Sequence, residues 1–308
     1  MEELEIVPLS QIDGMRIFID RVEYRSPHLH PEWELLWVLD ASLNITCAQK
    51  KYEIQPGELI LFPPNCPHEF HEMEQPCTFL CLQIAPRAFP STVHLHTDEI
   101  RLSNCLPSED DRWLRQAMLE TARVYLEQLP YSELFCVGQC GLILHRLMKF
   151  VPCHTMTAEE MACAEQRNAR LSRLMQYVDE NFMHKISLSE FAQREGCTVS
   201  YMSHFVRDAM NQTFRSYVNS VRFHYARRQI ATTETPLVSI CYESGFSDYR
   251  YFSRSFQAAY GMTPAQYRLC SQFARAGHLL PAGNLHSREQ IYSREKSLEI
   301  LKNIRLSG

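Results

Sequence analysis

Two stretches of this chain, about fifty residues apart, follow one pattern, and that pattern restricts the fold more than any other feature of the sequence. The first is Ile186-Ser187-Leu188-Ser189-Glu190-Phe191-Ala192-Gln193-Arg194-Glu195-Gly196. Ser187 and Glu190 stand three apart, the spacing at which a Ser caps the first turn of a helix while a Glu side chain bonds back to the cap N–H. Phe191 and Ala192 then face inward, and Gly196 supplies the left-handed residue that ends a short helix. Thr198 caps a second helix, expected from Val199 to about Met210, with Met202, Phe205 and Val206 on its apolar side. Asn211 follows, the residue type next best to Gly at a left-handed C-terminal position. The second stretch opens with Thr235-Pro236, read as an N-cap followed by Pro at the first helical position. Ile240 and Cys241 take the places of Phe191 and Ala192, Gly245 that of Gly196, and Asp248 that of Thr198. A helix expected from Tyr249 to Ala259 buries Phe252 and Phe256, and Gly261 ends it.

Two short helices around a Gly-containing turn of three to four residues form a helix–turn–helix. Two copies in register, joined by a long helix expected from about Phe214 to Thr232, make a far more specific signal than one. The exposed side of each second helix carries Ser200, Ser203, His204 and Arg207 in the first copy, and Tyr249, Arg250, Ser253 and Arg254 in the second. Arg can bond a guanine edge bidentately and Ser can serve several bases. Helices of this kind present their N-terminal residues to the major groove of DNA. One Arg on such a face is ordinary solvated charge, but the set on a repeated scaffold points to base or phosphate contact. Arg222, Arg227 and Arg228 on the linking helix are phosphate candidates, with plain surface charge an equal alternative.

Over about residues 170–270 the sequence resembles the AraC/XylS family of transcription regulators. The resemblance is strongest in Gly245-Phe246-Ser247-Asp248-Tyr249-Arg250-Tyr251-Phe252-Ser253-Arg254-Ser255-Phe256 and in Tyr260-Gly261-Met262-Thr263-Pro264-Ala265-Gln266-Tyr267-Arg268. It implies that each subunit sets two recognition helices into successive major-groove segments on one face of promoter DNA. The departures are Cys241 where the family usually has Ala, Asn211 for a usual Gly, and His204 where Arg is common, which retunes or weakens that contact.

The net charge of −5 by itself speaks against a nucleic-acid partner, but it is an average. Residues 1–165 hold 12 Lys+Arg against 25 Asp+Glu, residues 166–270 hold 13 against 8, and residues 271–308 hold 6 against 3. An acidic module is therefore joined to a basic, polyanion-facing one.

The acidic half changes texture. Between residues 17 and 84, runs such as Leu35-Leu36-Trp37-Val38-Leu39 and Leu59-Ile60-Leu61-Phe62 alternate with Pro56-Gly57 and Pro63-Pro64-Asn65, which reads as a small barrel or sandwich. This segment resembles a cupin. His28-x-His30-x3-Glu34 matches the first cupin motif, and Gly57-x5-Pro63-x-Asn65-x2-His68 the second, with Asn65 where Gly is usual. The Gly expected six residues beyond Glu34 is missing, since position 41 is Ala. Strand alternation directs His28 and His30 into the barrel. Three His and one Glu suit a divalent transition metal. The other readings are an organic effector held by the same residues without metal, or packing. Trp33, Trp37, Phe62 and Phe70 are pocket candidates or core. His94 and His96 read as a strand end or loop.

Beyond residue 109, Leu114, Met118, Ala122, Tyr125 and Leu129, then Val137, Cys140, Leu144, Leu147 and Val151, fall at helical spacing. The two helices pack on their own barrel, form a dimer seam, or do both with different faces. The expected fold is α+β: a cupin-like effector-sensing barrel at 1–108, a helical pair at 109–151, a polar linker at 152–168, a double helix–turn–helix domain at 169–270 and an extension at 271–308. In the extension, Ser287–Leu306 reads as a helix with Leu298, Leu301 and Ile304, and no role follows from it.

No apolar run is long enough to span a bilayer. The start, Met1-Glu2-Glu3-Leu4-Glu5, lacks the basic and apolar regions of a signal peptide, so the cytoplasm is expected. Twelve scattered cysteines without a Cys-x-x-Cys pair read as reduced thiols. The expected function is a non-enzymatic, homodimeric transcription regulator. Its partners are double-stranded DNA, a small effector, guessed to be a sugar or related metabolite, and RNA polymerase. The alternative is a metal-dependent cupin enzyme or a metal-responsive regulator.

Overall fold

The computed structural model describes residues 12–47, 50–71, 73, 75–210, 212–275 and 287–304. The strands are β1 Met15–His28, β2 Trp33–Val38, β3 Leu43–Cys47, β4 Lys50–Ile54, β5 Leu59–Phe62, β6 His68–Phe70, β7 Cys77–Ile84 and β8 Leu95–His96. Helices α1 Ser108–Glu127 and α2 Ser132–Phe150, strand β9 His154–Thr155 and helix α3 Ala158–Asn181 follow. Then come α4 Leu188–Arg194, α5 Val199–Met210, α6 Phe214–Thr232, α7 Leu237–Glu243, α8 Tyr249–Tyr260 and α9 Pro264–Arg275. Strand β10 Ser287–Ile291 and helix α10 Arg294–Asn303 complete the described chain. The class is α+β, as expected. Among the described residues, no helix is long and apolar enough to cross a membrane.

The chain divides into two compact units, one of Met1–Glu165 with Arg288–Gly308 and one of Gln166–Ser287. The first is built on a curled sheet in the order β4-β3-β6-β1-β7-β2-β5, with β10 added beside β1. Apolar side chains cover both of its faces. Strand β2 shows why: Trp33, Leu35 and Trp37 join the core shared with α1 and α2, while Leu36 and Val38 join the core inside the curl. Burying one such side chain contributes about 1.5–3 kcal/mol. Trp33 and Trp37 are thus core on the helix side, and Phe62 and Phe70 are fully buried inside the curl.

Several expectations shift by local chemistry. The polar stretch 152–168, read as a linker with room for part of a helix, holds both a strand pairing and a helix start: His154–Thr155 pairs with Leu95–His96, and α3 starts at Ala158. Tyr125 packs with the first core, whereas Leu129 lies beyond α1 and is exposed, because Gln128 turns left-handed at φ 55 and ends the helix. Val137 is exposed as well. Thr235 caps nothing, and Pro236 is itself the N-cap of α7. The stretch from Ser287 begins as a strand rather than a helix, because β1 offers it backbone partners; the Tyr292 N–H donates to the Ile19 carbonyl at 3.0 Å.

Candidate functional site

The first helix–turn–helix is fixed by local hydrogen bonds. Ser187 Oγ accepts from the Glu190 N–H at 3.2 Å, and the Ser187 N–H donates to Glu190 Oε2 at 3.3 Å, so α4 opens on a complete capping box. Gly196 turns the chain at φ 66. Thr198 Oγ1 then accepts from the Tyr201 N–H at the start of α5. Met202, Phe205 and Val206 are buried. Ser200, His204 and Arg207 are exposed on the opposite side, and Ser203 is half-buried.

The second copy repeats the plan with other material. Gly245 turns at φ 83 and Asp248 Oδ1 accepts from the Tyr251 N–H at 2.6 Å. Phe246, Phe252 and Phe256 are buried against Phe223 of α6 in an aromatic core. Arg250 and Arg254 are exposed and Ser253 is half-buried. Tyr249 differs from its predicted companions: its ring packs 6.0 Å from Phe252, so only part of it is on the surface. The turn is one residue longer than in the first copy, so Ser200, Ser203 and His204 correspond to Arg250, Ser253 and Arg254. Of the linking-helix arginines, Arg222 donates to the Phe182 and His184 carbonyls and Arg227 lies buried over the Tyr260 ring. Those two serve the fold, while Arg228 is exposed.

In the first unit, His28, His30, Glu34 and His68 converge from the end of β1, the loop after it, β2 and β6. Only His28 of the His-x-His pair is in a strand. Asn65 takes the Gly position of the second motif at φ 60, a left-handed value that Asn tolerates, and its N–H donates to the His30 carbonyl. His30 Nε2 lies 2.6 Å from Glu34 Oε2, and His68 Nε2 lies 3.9 Å from Oε1. The His28 and His68 rings are 4.1 Å apart. His28 Nδ1 bonds the Ser26 carbonyl and His68 Nδ1 the Cys66 carbonyl, both at 2.9 Å. A carbonyl only accepts, so each Nδ1 carries the proton and each Nε2 is a lone-pair donor to a metal. Both Nε2 atoms are buried without a hydrogen-bond partner.

Electrostatics separate the four groups. Burial, with the neighbouring His68, holds His28 far below its ordinary value. Burial also pushes His68 down to about 4, against the pull of Glu34. His30 loses by burial but gains more from Glu34 and Glu32, and rises to about 9. Burial of Glu34 is outweighed by His30 and His68, so its carboxyl lies well below the usual range. The result is a His30–Glu34 ion pair beside two neutral imidazoles. His30, Glu34 and His68 bring ligand atoms within 4.8 Å of one another, a set that could hold a divalent transition ion once His30 gives up its proton. Gln83 was not foreseen: its Nε2 donates to Glu34 Oε2 at 2.7 Å because the β2–β7 register sets Glu34 opposite Gln83. Nothing in the local sequence signals that pairing.

With this geometry in hand, the class is a DNA-binding regulator that joins a cupin to a paired helix–turn–helix. A helix-turn-helix domain model matches residues 191–269 and a cupin domain model matches residues 21–83. The melibiose operon regulatory protein of Escherichia coli (strain K12) is 21% identical over 276 residues, 82% of this chain and 89% of its own length. The HTH-type transcriptional activator RhaS of Mannheimia succiniciproducens is 20% identical over 243 residues, 79% of this chain and 88% of its own. The crystal structure of apo ToxT K231A from Vibrio cholerae aligns at 17% identity and a TM-score of 0.40, over 83% of this chain and 97% of that one. The chain thus carries a helix-turn-helix domain and a cupin domain, and along most of its length it is similar to transcription regulators of the AraC/XylS family.

Proposed function

We propose that this chain is a ligand-responsive, homodimeric transcription regulator acting in the cytoplasm. Its cupin unit binds a small effector, and its α5 and α8 faces read promoter DNA beside RNA polymerase. The observation that carries the DNA side is the pair of capped second helices, each burying one face and exposing Ser200, His204 and Arg207 or Arg250 and Arg254 on the other. An effector works here only by binding two states of the protein with different affinity. A sugar is the favoured organic effector, supported by the melibiose regulator among the relatives. Exposed Leu134 and Leu142 on α2 support a dimer seam on that helix.

A second reading is favoured by one observation inside the curl. Phe62, Phe70 and Phe79 are fully buried there, Phe62 stacks 4.1 Å from His68, and the neutral Nε2 atoms of His28 and His68 lack a donor. Such a site suits an ion better than a sugar ring, and the ion would be held by His30, Glu34 and His68 with His28 beside them. A bound ion supplies a Lewis acid and fixed positive charge next to Glu34.

The test is metal analysis of the purified protein, followed by binding to genomic DNA fragments with sugars, divalent metals or a chelator added. The metal reading expects a stoichiometric ion that is lost in His30→Ala/His68→Ala, and a chelator-sensitive DNA affinity. The sugar reading expects a response without metal. Stoichiometric iron or manganese together with a measurable turnover would overturn the regulatory reading in favour of a cupin enzyme.

A further inference from the structure

The residues beyond the DNA-binding unit return to the sensor unit. β10 lies beside β1, and α10 packs Leu301 into the core shared by the sheet, α1 and α2. Arg294 caps the end of α1, donating to the Glu127 carbonyl at 2.5 Å and to Gln128 Oε1 at 2.8 Å. A C-terminal helix end leaves carbonyls without partners, and a cation there is favourable on both counts. The DNA-binding unit is therefore inserted in the sensor chain and leaves it by two connections.

One contact in this docked segment is different in kind. Asp20 of β1 is fully buried, and neither carboxylate oxygen makes a well-formed hydrogen bond with a donor. It faces Glu289 of β10, whose own carboxylate lies 3.4 Å from Arg25. Arg25 and the Arg21 N–H offset part of the cost. From β7, the Cys77 and Cys81 thiols are near Asp20 and are held neutral by burial. Two carboxylates in contact repel, and only a proton on one of them turns the contact into a hydrogen bond.

We propose that Ser287–Asn303 is a proton-gated strap: a proton shared between Asp20 and Glu289 holds β10 on β1, and its loss releases the strand and the second tie between the DNA-binding and sensor units. Burial, then the Glu289 charge, raises the Asp20 carboxyl from the ordinary carboxylate range to about 7. The docked state thus binds the proton more tightly than the free one. Docking is strongest below the ordinary range, weakens as pH rises towards 7, and levels off above it. Released, the DNA-binding unit keeps its other chain connection to the sensor, the one that runs through α3. The consequence at DNA rests on the proposed function, but the docking does not.

The experiment is amide hydrogen exchange on the intact chain from pH 5.5 to 8.5, corrected for the intrinsic pH dependence of exchange. Protection of the Tyr292 N–H and of α10 should fall by about tenfold per pH unit up to 7 and then flatten. Amides between β2 and β7 should show no such trend. Asp20→Asn keeps the size and donates an N–H to Glu289, so it should hold the strap down at every pH; Glu289→Gln should do the same. Protection of β10 that is independent of pH, or a slope that survives in Asp20→Asn, would overturn the proposal. Affinity for genomic DNA fragments, measured on the same variants, separates the two ideas. A gated strap with unchanged DNA binding at every pH counts against coupling to the regulator and leaves the docking claim standing.

Discussion

In the first helix–turn–helix, a Cβ added at Gly196 would meet nothing within 4 Å; in the second, one added at Gly245 would come within 2.5 Å of the Phe182 carbonyl oxygen and 2.9 Å of Arg222 Nε. The same turn on the same pattern is thus loosely built in one copy and locked in the other. Gly245 abuts the joint where Arg222 of α6 bonds the end of α3. Around it, Phe246 and Phe252 are buried in an aromatic core, where the matching residues of the first copy are the half-buried Cys197 and the buried Met202. The faces differ in parallel. Arg250 and Arg254 stand where the first copy has Ser200 and His204. The comparison teaches that the second copy has the closely packed turn and two arginines on its exposed face, while the first has an open turn and Ser200 and His204 at the matching positions.

The largest expected effect breaks or confirms the packing half of that contrast. Gly245→Ala combines left-handed backbone strain with overpacking against a backbone carbonyl, and should destabilise the DNA-binding unit by about 2–4 kcal/mol. Gly196→Ala bears the backbone strain alone, about 1–2 kcal/mol. Denaturant unfolding of both variants checks it; equal losses would mean that the two turns are equivalent. Next, Arg254→Ala and Arg250→Ala should each remove ~1–3 kcal/mol of discrimination between selected and random DNA, with the unfolding midpoint unchanged. His204→Ala should cost less than either, below about 1 kcal/mol, and His204→Arg should tighten binding at the first copy; competition binding reads both. If His204→Ala matched Arg254→Ala, the ranking of the two copies would be lost.

Local chemistry made much of this legible from residue types. Ser187 with Glu190, Thr198, Asp248, Gly196, Gly245 and Gly261 act within one helical turn of themselves, and α6 runs from Phe214 to Thr232 as its periodicity suggests. The His28, His30, Glu34 and His68 spacing likewise brought four side chains together, and Asn65 shows how the second cupin motif survives without its glycine. What stayed hidden depends on partners distant in sequence. β10 becomes a strand only because β1, more than 250 residues earlier, has backbone groups to pair. Gln83 meets Glu34 through strand register, and Arg222 and Arg227 turn inward through the packing of α3 and α8. Asn211, expected to end α5, lies outside the described residues.

The central claim is that α5 and α8 read two successive major-groove segments, the second more strongly. A base-resolution footprint on genomic fragments selected by the native chain tests it directly, repeated with the Arg250→Ala/Arg254→Ala double variant. The account predicts two protected segments on one DNA face, about 10–10.5 base pairs apart, with the double variant losing protection and base preference at one of them only. A single protected segment, or an unchanged pattern in the double variant, would contradict it.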